Sequence, residues 1–280
     1  MTPKKLSAVL AQHALWVKDR SAGKRADLSS SGVDLSGADL SGADLSGADL
    51  HGEALNDVNL TGANLTGADL SGAYPWRANL TGANLTDANL TNVSLMDANL
   101  TDANLSGAVL KGAVLKGANL TGANLSGADL TEANLTEANL RRANLRRTKL
   151  TGANLRRTKL TGANLTGANL TGADVPVADL DDANLTDANL TDANLTGTKL
   201  TGANLTGANL KGADLTGANL KGADLTQARN LGVKSANPAR TYWSAPTEDP
   251  PSRGRGLKSA SDAFWDGSDE MWDPDRDRDF

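Results

Sequence analysis

Leucine recurs at every fifth residue from Leu35 to Leu225, and that spacing excludes most folds. Of 39 register positions 37 are Leu, with Pro75 and Val175 the exceptions, so the spacing is held too strictly for a low-complexity tract. An α-helix turns about 100° per residue, so a five-residue step would spiral the leucines around it and leave no stripe. A continuous strand fails as well, because an odd period sends successive leucines to opposite faces. A short extended triplet followed by a corner survives both objections. In Ala-Asn-Leu the first and third side chains share one face, and Ser/Thr-Gly turns the chain through hydroxyl-to-backbone bonds. The chain then has to wind around a column of Ala and Leu. Asp87, Glu132 and Arg142 stand where most units have Gly, which predicts a corner that does not require a positive φ.

Composition agrees with a packed but unusual interior. Hydrophobic residues make up 39% of the 280 and aromatic residues only 3%, so the core has to be aliphatic. The absence of Cys removes disulfides, thiolate metal sites and a cysteine nucleophile, and two His leave little for a metal site or a general base. A net charge of -5 argues against nucleic-acid binding through overall charge. No apolar run approaches the roughly 20 residues of a membrane span, so no membrane contact is expected and the cytoplasm is the expected compartment.

The segments SGADLSGADLSGADL and TDANLTDANL resemble the pentapeptide-repeat family, and the resemblance covers residues 26 to about 228. It implies an all-β solenoid: a right-handed quadrilateral β-helix, four pentapeptides per coil, with the Leu and the preceding small residue inward. The expected organisation is a capping helix over 1–25, the repeats over 26–228, and an end cap with a mostly disordered acidic and aromatic tail over 229–280.

A solenoid leaves an unpaired strand edge at each end and needs caps. Leu6, Val9, Leu10, His13, Trp16 and Val17 fall at helical spacing and predict an amphipathic capping helix, with His13 a cap residue and no ligand. Leu28 and Leu35 are seven apart, which predicts a bulge in the first coil. Leu231 falls out of phase and marks the end of the regular coils. Beyond it, Tyr242 and Trp243 either cap the last coil or, with Trp265 and Trp272, bind a partner.

Counting twenty residues per coil puts the most irregular units on one side. Glu53 reads inward, and AYPWR replaces the unit around position 75. Tyr74, Trp76 and Met96 then project outward beside Ala54, with Arg77 at the rim. One reading is a partner-binding surface. The other is local repair, in which Pro75 underfills its slot, an aromatic folds over the gap and Glu53 escapes by a bulge.

Charge is unevenly placed along the chain. Residues 27–140 carry 14 acids against 3 bases, residues 141–160 carry 8 bases and no acid, and residues 161–228 carry 8 acids against 3 bases. The family resemblance implies, for the acidic first section, imitation of duplex DNA toward a type II topoisomerase such as gyrase. Two features oppose it: the belt of Arg141, Arg142, Arg146, Arg147, Lys149, Arg156, Arg157 and Lys159 interrupts an acidic rod, and Leu fills the central position where topoisomerase-binding members often have Phe. Asp34, Asp39, Asp44 and Asp49 wind around the coils and form no single stripe. No aromatic residue interleaves with the belt, so base stacking has no platform.

No phosphate loop, dinucleotide fingerprint or metalloprotease sequence is present, and the many Ser and Thr have no His base near them. The sequence therefore predicts no enzyme, no cofactor, no metal and no small-molecule substrate. It predicts a protein-interaction or scaffold solenoid of unidentified partner, with a homodimer left open and a gyrase modulator as the alternative.

Overall fold

A computed structural model describes residues 3–29 and 34–230. Helix α1 spans Pro3–Lys18. From residue 34 onward the chain turns at every fifth residue, and its extended triplets pair in parallel with triplets twenty residues away. Asn59 pairs with Asn79, Asn79 with Asn99 and Asn99 with Asn119, so each coil has four sides of five residues. At one strand spacing per coil, the stack rises about 4.8 Å for every twenty residues.

The backbone bonds fix this register. The Leu60 amide donates to the Asn79 carbonyl at 2.7 Å, and the Asn79 amide donates back to Val58 at 2.9 Å. The corner closes on itself: the Ala68 amide donates to the Leu65 carbonyl at 3.0 Å. In most units Asn or Asp precedes Leu and caps the next corner, as where Asn64 Oδ1 accepts from the Thr66 amide at 3.2 Å and from its hydroxyl at 2.7 Å. That contact explains why the repeat reads Asn/Asp-Leu-Ser/Thr.

The corner differs from the sequence expectation, because the residue after Ser/Thr has positive φ throughout the described coils. Gly62 has φ 63°, and Asp87, Glu132 and Arg142 adopt 55°, 60° and 55°. Only the third residue of each four-residue turn is left-handed, as in a type II turn. Asp and Asn tolerate that conformation best and recur there. Arg142, Arg147 and Val177 hold it at a strain of roughly 1 kcal/mol or more each, imposed by the bonds on both sides.

Inside, the Leu column is closed to solvent from Leu45 to Leu215, and Ala fills most of the second inward position. Where Thr replaces Ala its hydroxyl is satisfied: Thr148 Oγ1 donates to the carbonyls of Leu145 at 2.6 Å and Leu125 at 3.2 Å. Each fully buried Leu contributes roughly 1.5–3 kcal/mol before chain entropy.

Helix α1 lies across the open edge of the first coil. Leu6, Val9 and Leu10 pack on the Leu column, and His13 is fully buried. His13 Nδ1 accepts from the Ala26 amide at 3.0 Å, while Nε2 is buried without a partner. Trp16 stacks on His13 at 5.4 Å, and the Arg20 guanidinium lies over the Trp16 ring at 3.6 Å. The two extra residues before Leu35 are accommodated in the first coil, where Asp27 pairs with Asp49 at a separation of 22; the bulge expected between Leu28 and Leu35 falls on residues 30–33, outside those described.

Burial lowers the His13 pKa below 6.5, with Asp44 opposing and Arg20 and Arg25 adding to the shift. A base whose folded pKa is depressed gives its full stability above the unfolded value and loses it as pH falls toward the folded one. Acidification below about pH 6.5 therefore loosens helix α1 first. Amide exchange at Ala26, corrected for its intrinsic rate, is expected to accelerate between pH 7.5 and 5 while Leu120 stays protected. An unchanged Ala26 rate would refute this dependence on His13.

Candidate functional site: the outer faces of the coils

Because the interior is filled, the chemistry available to the coils lies on the surface. Among the described residues no group of His, Asp or Glu is placed to hold a metal ion, and no helix is long and apolar enough to cross a membrane. A cavity of about 490 Å³ lies between helix α1 and the first coil, lined by Leu6, Leu10, Leu35, Asp34 and Asp39 among others.

The irregular units do come together. Ala54 pairs with Tyr74, and Ser94 pairs with Val114 farther along the same side. Tyr74 is 54% exposed, Trp76 41% and Met96 39%, and the three lie on one side and its adjoining corner. Arg77 is fixed beside them: Nε donates to Asp57 Oδ1 at 2.9 Å, Nη2 bonds Asp57 Oδ2, and the guanidinium lies 4.4 Å from the Trp76 ring centre. The Asp57 carboxylate pushes the Arg77 pKa up. Trp76 thus carries one rim cation across its face and leaves the rest of its ring open.

Two of the three details of the local-repair expectation, the aromatic over the gap and the bulge at Glu53, are corrected. Tyr74 points outward and does not fold over Pro75, which is buried in the Leu position. Glu53 stays in register without a bulge, because its carbonyl accepts from the Tyr74 amide at 2.9 Å and its own amide donates to Leu50. The Glu53 residue is only 7% exposed, and burial raises its carboxyl pKa. Pro75 does disturb the ladder. It has no N–H for the Ser94 carbonyl, and the neighbouring Leu55 amide stands 3.4 Å from the Tyr74 carbonyl, against 2.7 Å for Leu60 and Asn79. Two exposed apolar residues lie outside this cluster and were not singled out from the sequence: Leu15 on helix α1, 47% exposed, and Val177, 60% exposed at φ 57°. The signal for Val177 was a β-branched residue at a glycine corner after Pro176.

The belt spreads over several sides. Arg141 and Arg142 occupy one corner and Arg146 and Arg147 the next, while Lys159 stacks on Asn139. Part of it is neutralised from neighbouring coils: Lys149 meets Asp129 at 3.4 Å, Arg157 meets Glu137 at 3.6 Å and Arg156 meets Asp174 at 4.0 Å. Arg141, Arg142, Arg146, Arg147 and Lys159 make no ion pair among the described residues.

Most of the acids do not line up along the axis. Asp34, Asp39, Asp44 and Asp49 fall on four successive sides of one coil, and the corner column through Asp57 alternates with Arg77 before Asp97. Asp27, Asp49 and Asp69 do stack on one paired column, which then continues with Asn89 and Val109. Trp265 and Trp272, with Tyr242 and Trp243, lie outside the described residues.

These observations define a repeat protein of stacked four-sided coils with an aliphatic interior and an irregular outer surface. The chain belongs to the pentapeptide-repeat family, which matches in eight copies over residues 25–62, 59–97, 98–137, 138–175, 178–217 and 193–229. Among solved structures it is similar to HetL, a pentapeptide repeat protein involved in heterocyst differentiation regulation from the cyanobacterium Nostoc sp. strain PCC 7120. The two are 36% identical over 78% of this chain and 92% of that one, with a TM-score of 0.38. It is also similar to QnrB1, a plasmid-mediated fluoroquinolone resistance protein, at 24% identity over 64% of this chain and 88% of that one, with a TM-score of 0.49. Rfr23 from the cyanobacterium Cyanothece 51142 shares 35% identity over 40% of this chain and 61% of that one, with a TM-score of 0.29. No curated protein matches the chain significantly.

Proposed function

We propose that this chain is a non-catalytic interaction protein that meets a protein partner through the side carrying Tyr74, Trp76 and Met96. The observation that carries this reading is the exposed Tyr74–Trp76–Met96 cluster, which brings three large apolar side chains together with Arg77 held at its edge. Aromatic residues lose little conformational entropy on docking and bury a large area, so a few of them dominate an interface. Elsewhere on these columns no aromatic residue offers such an anchor.

A photoreactive phenylalanine analogue at position 76 tests the reading in the cells that make the protein. It should capture one defined protein, and the same probe at Thr136, on the same corner, should capture none. Tyr74→Asn in the photoprobe-bearing chain should reduce capture at least about tenfold, which corresponds to loss of roughly 1.4 kcal/mol of binding. Equal capture from both positions would reject the surface.

The second reading is a DNA-mimicking modulator of gyrase, and the stack of Asp27, Asp49 and Asp69 is the feature in its favour. A supercoiling assay with and without a fluoroquinolone separates it. Inhibition, or protection from drug-induced cleavage, would replace the apolar surface with the acidic coils as the binding region.

A further inference from the structure

The basic belt has an arrangement that the proposed partner surface does not use. Arg146 and Arg147 stand at one corner, Arg141 and Arg142 at the next, and Lys159 lies in the middle of the following side, ending at Arg156 and Arg157. All seven are exposed. The row therefore runs across two adjacent sides, within about one coil height, and not along the axis. At roughly 3.3 Å per extended residue those sides present a contour of about 20 Å. A rigid duplex laid along the stack would meet only a small part of it, whereas a narrow extended chain could follow it around the corner. Arg156 and Arg157 already face Asp174 and Glu137, so the unneutralised charge is that of Arg141, Arg142, Arg146, Arg147 and Lys159.

This chain carries an occupant of matching chemistry. Residues 259–280, which lie outside the described residues, contain eight acids and two bases. Six of the acids, from Asp269 to Asp279, fall within eleven residues. An extended stretch of eight residues covers about 26 Å, enough to follow both sides of the belt. Reach is sufficient too. The column through Arg229, Asn209, Asn189, Asn169 and Lys149 places the belt four coils, or about 19 Å, below the last described coil. Residues 231–258 separate the coils from the acidic segment, and a linker of that length spans roughly 30 Å.

We propose that the acidic segment 259–280 seats across the Arg141–Arg147 and Lys159 belt of its own chain. The attraction joins exposed charges, so it weakens as salt shortens the screening length. Tethering favours the intramolecular contact over an equal contact with a second copy at low protein concentration.

The absence of cysteine from the chain permits a direct test on the full-length protein. Ser126→Cys, one coil below Arg146, and Ser268→Cys would carry a donor and an acceptor dye. Transfer between them should be efficient at low salt and fall at least about threefold near 0.5 M salt, where screening acts within roughly 5 Å. Arg141→Thr/Arg142→Gly/Arg146→Thr/Arg147→Gly should show the low value at every salt concentration. These replacements restore the repeat's commonest residues and relieve two strained corners, so the coils remain folded. Transfer that is unchanged in the four-residue variant would overturn the proposal. Transfer appearing only when singly labelled chains are mixed would overturn it in favour of a second copy as the occupant.

Discussion

Leu120→Ala is expected to destabilise the coils by roughly 2–5 kcal/mol, a large fraction of what a folded chain can lose. Leu120 is fully buried, and its amide donates to the Asn139 carbonyl at 2.7 Å. It is enclosed by the coils before and after it, whose own bonds hold them at one strand spacing. Such a frame cannot collapse into the vacated space, so the lost transfer energy is joined by a cavity cost. Near the end the effect should be smaller: Leu220 keeps 4% of its surface exposed, and fewer coils constrain it. Urea unfolding followed by far-ultraviolet circular dichroism gives the comparison. Because each coil contacts mainly its neighbours, the central variant should also lose cooperativity between the two halves of the stack. Equal losses at Leu120 and Leu220 would contradict a core constrained by neighbouring coils.

The second expectation runs in the opposite direction. Restoring the irregular unit to the repeat pattern, as Tyr74→Asn/Pro75→Leu/Trp76→Thr/Arg77→Gly, should raise stability by roughly 1–3 kcal/mol. The leucine replacing Pro75 would supply the N–H that the Ser94 carbonyl lacks, worth about 1 kcal/mol. It would also bury about one more methylene, worth roughly 0.8 kcal/mol. The glycine replacing Arg77 would remove a left-handed non-glycine residue, now at φ 56°, relieving about 1 kcal/mol. The exposed Arg77–Asp57 pair and its contact with Trp76 would be lost, and exposed pairs of this kind contribute little. Lower stability in the restored variant would mean that AYPWR is better adapted to its coil than the ladder geometry indicates.

The interior and the period were legible because each inward position obeys the same local rule. Leu and Ala at fixed offsets led to a wound chain, and Leu6, Val9, Leu10 and His13 marked the face of helix α1 that meets it. The corner conformation was misread for a physical reason. A residue's presence at a position shows that the fold tolerates it, not that its backbone is unstrained there. Arg142 and Glu132 are held at positive φ by ladder bonds that cannot be seen in five residues. Glu53 was misread in the same way: the register bonds of its coil keep it inward even though burial disfavours its charge. Outer columns were countable at twenty residues per coil, which placed Tyr74, Trp76 and Met96 together. Counting also stacks Arg77 on Asp57 and Arg157 on Glu137, each twenty residues apart; what it could not supply was pairing off the column, such as Arg156 with Asp174. Those contacts separate the occupied charges of the belt from the open ones.

Partner capture by the restored variant decides whether the irregular unit is a recognition surface. The photoreactive analogue is placed at Met96 both in that variant and in the otherwise unaltered chain. If the unit serves recognition at the expense of the core, the restored protein should resist urea better and yet capture about tenfold less partner. Capture at the full level from the restored variant would refute this, because the Tyr74–Trp76 unit would then be dispensable for binding.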